Sequence, residues 1–141
     1  MKVKLLHPDA VAPEYATPGS AGFDLASVED VFLLPGETKL IATGLAVDVG
    51  DGYELQIRPR SGLSFKTPLR VANAPGTVDS DYRGEVKVIL TNSSSKLAAK
   101  IKKGDRIAQG VVCPVTKVNI EIVESLDDTD RGAGGFGSTG A

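Results

Sequence analysis

Sulfur, imidazole and indole are scarce in this chain. Its 141 residues include one cysteine, one histidine, one methionine and no tryptophan. With Cys113 alone, an internal disulfide is excluded and nothing points to an oxidising compartment. The lone histidine, His7, stands beside Pro8 near the start of the sequence. Serine–histidine or cysteine–histidine catalysis is therefore disfavoured, and the three or four nitrogen or sulfur ligands of a zinc site are not on offer. No segment approaches the ~20 apolar residues that span a bilayer. The apolar pair Leu5-Leu6 stops at His7-Pro8, so the N-terminus lacks the apolar core of a signal peptide. A soluble, cytoplasmic protein with no membrane partner is expected. Excess charge is also missing: 16 Lys and Arg against 18 Asp and Glu leave a net −2. Proteins that grip long nucleic acids are usually basic, so that partner is not expected. A small anionic ligand needs only a few well-placed donors.

What the chain has in quantity is turn chemistry. Pro18-Gly19, Pro35-Gly36, Gly50-Asp51-Gly52, Pro75-Gly76 and Gly104-Asp105 punctuate it at short intervals. Between them lie runs that alternate apolar and polar residues. Tyr53, Leu55 and Ile57 share one face of a run ending at Arg58; Val86, Val88 and Leu90 share another; Val118, Ile120 and Ile122 repeat the pattern. Period two with β-branched residues and regular turns predicts an all-β sandwich or barrel. One short helix is expected over Ser61–Leu69, limited by Pro68, and Lys96–Lys102 reads as a loop entering a strand. Cys113, flanked by Val111, Val112 and Pro114, reads as a buried strand residue.

After Val123 the composition changes. Glu124–Asp130 is acidic and nearly free of core residues, and Arg131–Ala141 is glycine-rich. Such a tail buries too little apolar surface to offset its ordering entropy. The expected organisation is one domain over 1–123 and a flexible C-terminal arm over 124–141. Gly132, Gly134 and Gly137 match a dinucleotide fingerprint in spacing, but that fingerprint needs a helix after them, and the four residues beyond Gly137 leave no room for one. A P-loop fails as well, because Ser138 stands where its lysine belongs. Asp127, Asp128 and Asp130 lack the spacing of a calcium loop.

Four further islands carry chemistry: Pro18–Ser27 with Asp24 at its centre, Arg58–Ser64, Asn73–Glu85, and Lys103–Gly110. In the second, a guanidinium, a hydroxyl and a glycine amide meet where a short helix begins, a natural place for an anion. In the third, Asp79 and Asp81 are two apart, so a strand aims both carboxylates to one side. In order and spacing these four islands and the tail resemble the five motifs of the homotrimeric dUTPase family, across nearly the whole chain.

The resemblance implies a jelly-roll-like β barrel and Mg²⁺-dependent hydrolysis of dUTP to dUMP and pyrophosphate. It implies that Asp79 is the general base for the attacking water, and that Tyr82 packs under the deoxyribose. Asn73 and the hairpin backbone around Gly76 would read uracil. Arg60, Ser61, Gly62 and Gln109 would bind phosphates, and Asp24 would hold Mg²⁺ through its water shell. Arg131, Phe136, Gly137, Ser138 and Thr139 would close over the nucleotide. Three chains would share three sites. Two other readings stand beside it: a dCTP deaminase on the same fold, for which no signature is visible around Ser61, and a nucleotide-binding regulatory protein with demoted catalysis.

Overall fold

The structure is a computed structural model that describes residues 1–138 and 140. Ten strands and one short helix follow in order: β1 (Lys2–Leu5), β2 (Phe23–Ala26), β3 (Val31–Leu33), β4 (Thr38–Asp48), β5 (Tyr53–Arg58), α1 (Ser61–Lys66), β6 (Leu69–Val71), β7 (Gly76–Val78), β8 (Val86–Asn92), β9 (Ala99–Ile101) and β10 (Arg106–Pro114). They build a four-stranded sheet in the order β1-β4-β8-β6, a second in the order β2-β10-β5-β7, and a small β3-β9 pair. All these pairings are antiparallel. The chain is an all-β, jelly-roll-like fold with one short helix.

The alternation in sequence becomes the two faces of each sheet. β8 buries Val86, Val88 and Leu90 and turns Lys87 outward. β5 buries Leu55 and Ile57, while Tyr53, at the strand's start, stays half exposed. Leu25, Leu33, Ile41, Leu45 and Ile107 fill the space between the sheets. Asn92 is fully buried there. Its amide donates to the carbonyls of Leu33, Leu34 and Leu97, and its oxygen accepts the Ser94 amide. It thus ties the end of β8 to two loops without leaving a polar atom unpaired.

Three sequence expectations change. The helix stops at Lys66, three residues short of Leu69. Thr67 already has extended backbone, as the residue before Pro68 prefers. The alternating run Val118–Ile122 forms no strand: Val118, Ile120 and Ile122 are all largely exposed. Alternation supplies a face but not a neighbour, and within the described residues no other strand pairs with this run. Cys113 lies on β10 as expected, but it is half-buried rather than buried, with its sulfur facing the Arg58 guanidinium at 3.4 Å.

Strand β4 is the longest, with 11 residues. Its register with β8 shifts between Ala42 and Leu45, where Gly44 has φ +67°. A Cβ on Gly44 would come within 2.8 Å of His7 and 2.9 Å of Ala10. Glycine is required here both by the left-handed backbone and by the N-terminal segment packed on it.

Candidate active site

The Asn73–Glu85 island crosses from one sheet to the other. β7 is an edge strand paired to β5 through Leu55↔Val78, Gln56↔Thr77 and Ile57↔Gly76. The chain leaves it at Asp79, turns, and enters β8 at Val86 in the opposite sheet. The Tyr82 amide closes the turn on the Asp79 carbonyl at 3.2 Å. A cleft of about 520 Å³ opens beside this crossing, lined by Asn73, Gly76, Asp79, Tyr82, Leu40 and Ile89 among others. Its lining mixes apolar side chains such as Leu40, Ile57 and Ile89 with the polar groups of Asn73, Asp79, Glu85 and Lys87, the mixed chemistry of a small-molecule site. Asp79 and Asn73 are exposed, and Gly76 is buried. A Cβ on Gly76 would lie 2.8 Å from the Asn73 amide nitrogen, so glycine lets Asn73 fold across the hairpin. The Tyr82 hydroxyl donates to the Glu85 carbonyl at 3.0 Å, which fixes the direction of a ring that lines the cleft and stays partly exposed.

Strand register assembles a second group. Asp24 on β2 pairs with Gln109 on β10, and Gln109 pairs with Arg58 on β5. The three form a row across one sheet. Asp24 is shared by two guanidiniums: Oδ1 lies 2.6 Å from Arg60 Nε and Oδ2 lies 2.9 Å from Arg106 Nη1. Arg60 also donates to the Arg106 carbonyl at 3.0 Å, and Gln109 donates to the Pro59 carbonyl at 2.9 Å. Helix α1 starts directly after Arg60, and no side chain caps its first turn. Ser61 and Gln109 line a cleft of about 550 Å³ together with Arg58, Pro59, Ala74 and Pro75. One arginine, a hydroxyl and a helix start line this cleft, with Arg60 beside it, a set that suits an anionic group.

The structure thus gathers Asn73, Gly76, Asp79 and Tyr82 around one cleft, and Ser61 and Gln109 around another, with Arg60 and Gly62 next to Ser61. The hairpin tip, Ala74-Pro75, lines the second cleft, while Asn73 and Gly76 line the first. The glycine-rich tail joins neither. Arg131 Nε donates to the Gly134 carbonyl at 2.8 Å, and Phe136 is fully exposed. Gly137 has φ +91°, and the Ser138 amide bonds the Gly135 carbonyl. Thr139 lies outside the described residues. Among the described residues no hydrogen bond or ion pair ties 124–138 to the sheets.

Some residues in these sites had no assigned role from sequence. Arg106, within a quoted motif, is the second partner of Asp24. Gly22 is another: a Cβ there would lie 2.7 Å from Gln109 Oε1 and 3.1 Å from the Gly110 carbonyl. Its signal in sequence is a glycine immediately before a strand, which does not say what approaches it.

The order of these groups along the chain is what comparison with known proteins decides. A family model described as dUTPase matches residues 9–140. The chain belongs to the dUTPase family. It is 59% identical to the deoxyuridine 5′-triphosphate nucleotidohydrolase of Nautilia profundicola over 140 residues, 99% of this chain and 98% of that one. It is 51% identical to the enzyme of the same name from Helicobacter pylori, over 99% and 96% of the two chains. The dUTPase of Staphylococcus bacteriophage 80alpha, solved with dUPNHPP, superposes with a TM-score of 0.91 at 31% identity, over 99% and 98% of the two chains. A phage phi11 dUTPase, described with a structural Mg(II) ion, superposes at 0.83 and 28% identity, over 88% and 96%. Among the described residues no helix is long and apolar enough to cross a membrane.

Proposed function

We propose that this chain is a dUTP diphosphatase, hydrolysing dUTP to dUMP and pyrophosphate and so both removing dUTP and supplying dUMP for thymidylate synthesis. The observation that carries the proposal is the first cleft. It sets a carboxylate, Asp79, and a tyrosine ring, Tyr82, beside a hairpin able to read a base by its backbone, in a chain at least half identical to named dUTP nucleotidohydrolases. Uracil meets Asn73 and the backbone around Gly76. The Tyr82 ring lies against the deoxyribose. Asp79 orients a water and takes its proton as the water oxygen attacks the α-phosphorus. The bond from that phosphorus to the bridging oxygen breaks, and pyrophosphate leaves. Arg60, Ser61, Gly62 and Gln109 hold the phosphates, and the arm brings Arg131, Phe136, Gly137, Ser138 and Thr139 over the nucleotide.

The donor set fits Mg²⁺ carried by the substrate. Among the described residues no cluster of three carboxylates, histidines or cysteines could cage a metal. Asp24, with both oxygens on guanidiniums, is suited to face the ion's water shell rather than its inner sphere, as Mg²⁺ often requires. Bound there, the ion supplies charge neutralisation of the triphosphate.

We infer further that the working form is a homotrimer with shared sites. In one chain the base-reading cleft and the phosphate cleft are distinct, and the arm touches neither. The unpaired run Val118–Ile122 offers an apolar face of the kind that another copy would cover. Light scattering on the eluting species tests this; a stable, active monomer refutes it. For the activity, the purified chain is incubated with each dNTP and Mg²⁺ and the products separated by chromatography. dUMP and pyrophosphate from dUTP alone are expected. Deamination of dCTP would favour the related deaminase instead.

A further inference from the structure

The turn that carries Asp79 and Tyr82 has no secondary structure of its own, yet it is held at three points. Arg83 Nη1 donates to the Ser80 carbonyl at 2.6 Å and to the Tyr82 carbonyl at 3.1 Å. Arg83 Nη2 meets Asp48 Oδ1, at the end of β4, at 3.3 Å. One planar guanidinium therefore joins the main chain before and after Asp81 to the longest strand of the opposite sheet. Asp48 is itself fixed, because Oδ1 accepts the Gly50 amide at 3.1 Å. On the other side of the turn, Glu85 Oε1 accepts the Gly44 amide at 2.9 Å, so the β4 bulge holds the exit.

The third point is a space rather than a bond. An ideal Cβ on Gly84 would fall well inside contact distance of the Tyr82 hydroxyl and 2.6 Å from the ring carbon that bears it. Gly84 has no positive φ and so no conformational need to be glycine. What it provides is room for the tyrosine to fold back and place its hydroxyl on the Glu85 carbonyl.

We propose that Arg83 and Gly84 are positioning residues that set the Tyr82 ring, and through it the rejection of a 2′-hydroxyl on the sugar. This rests on the reading of Tyr82 as the surface against deoxyribose. Neither residue touches the nucleotide. Arg83 fixes the height of the turn through two carbonyls, and Gly84 fixes the tilt of the ring. A ring displaced by a fraction of an ångström opens space for one oxygen atom. The same displacement moves Asp79, three residues earlier in one hydrogen-bonded turn. Lysine cannot replace Arg83, because a single ammonium does not span two carbonyls and a carboxylate in a fixed fork.

The test is steady-state hydrolysis of dUTP and UTP by the full chain with Mg²⁺, for wild type, Tyr82→Ala, Gly84→Ala, Arg83→Ala and Arg83→Lys, each with a melting curve. Wild type should prefer dUTP strongly. Gly84→Ala should lower the dUTP-to-UTP ratio of kcat/KM by about tenfold or more. Arg83→Ala should lower that ratio and also reduce kcat on dUTP by up to about 10²-fold, the scale of an ångström misplacement. Arg83→Lys should fall between Arg83→Ala and wild type. Should Gly84→Ala not fold, the two Arg83 variants carry the same readout. A wild type without preference, or a Tyr82→Ala protein that keeps it, overturns the reading of Tyr82 and this inference with it. Preference that Tyr82→Ala loses but folded Gly84 and Arg83 variants retain overturns the inference alone.

Discussion

Asp24 Oδ1 lies 2.6 Å from Arg60 Nε. Both side chains are only partly exposed, so water weakens the pair less than at an open surface. If Arg60 binds phosphate as proposed, the triphosphate would compete with Asp24 for the same guanidinium, or share it. In the proposed function, the carboxylate would hold Arg60 in place before any phosphate arrives. Asp24→Asn removes that charge and the proposed partner of the Mg²⁺ water shell together. Turnover should fall about 10–100-fold, the usual effect of losing an outer partner of a metal site, and the Mg²⁺ concentration for half-maximal rate should rise. A titration of rate against Mg²⁺ that matches wild type would remove Asp24 from the metal role.

Asp79→Asn should preserve fold and nucleotide affinity while cutting turnover by ~10²–10⁴-fold, the contribution of a positioned base. Calorimetric binding of a non-hydrolysable dUTP analogue, beside single-turnover kinetics, separates the two. Near-normal turnover in the folded variant would pass the role to another group.

Gly22 was silent in sequence, and its substitution tests the Gln109 contact. In Gly22→Ala the new methyl meets the Gln109 amide and the Gly110 backbone. Because the backbone cannot yield, Gln109 should leave the Pro59 carbonyl, raising KM for dUTP more than it lowers kcat. Gln109→Ala should give the same pattern. Unchanged KM in both would show that Gln109 does not bind phosphate.

Asn92→Asp should be among the most destabilising single changes in the chain. The amide that now donates to three carbonyls would become a buried carboxylate facing them. A loss of about 3 kcal/mol is expected at neutral pH. Burial raises the folded-state pKa of the new acid above its unfolded value. The variant's penalty should therefore shrink as pH falls through that raised pKa, the protonated acid being able to donate again. Urea midpoints measured from neutral to acid pH provide the check.

Removing Arg131–Ala141 should leave the melting temperature almost unchanged and abolish most turnover. The described part of the arm makes only local turns, so the sheets lose nothing. The proposed closure would lose a phosphate-binding arginine and a base-stacking ring, the latter worth ~1–3 kcal/mol by analogy with single-strand binding. Wild-type kcat/KM in the truncated chain would exclude the arm from catalysis.

The strands were legible where burial is one-sided. Leu55, Ile57, Val86, Val88 and Leu90 announce their faces by alternation alone. Val118, Ile120 and Ile122 have the same alternation and no strand, because period two encodes a face and leaves the neighbour unspecified. The Asn73–Tyr82 cleft follows a contiguous island and was visible as one. The roles of Arg106 and Gly22 were not. Arg106 reaches Asp24 across 82 positions, and Gly22 matters only through the side chain that a methyl would strike. Sequence shows neither register nor empty space. The role of Arg83 is hidden for the same reason: its partner, Asp48, stands at the end of β4, far back in the sequence.

Strand β4 gives the turn that carries Asp79 a thermal character of its own. The turn is stapled to β4 at Asp48 and at the Gly44 bulge, and β4 lies inside its sheet between β1 and β8. The turn around Asp79, though exposed, is thus tied at two points to a strand of the core. On heating, the turn should keep its shape until that sheet melts as a unit, whereas the arm has nothing comparable to hold it. If Asp79 and the arm act as proposed, the molecule pairs a reacting turn anchored to its core with a cover held by nothing but local turns.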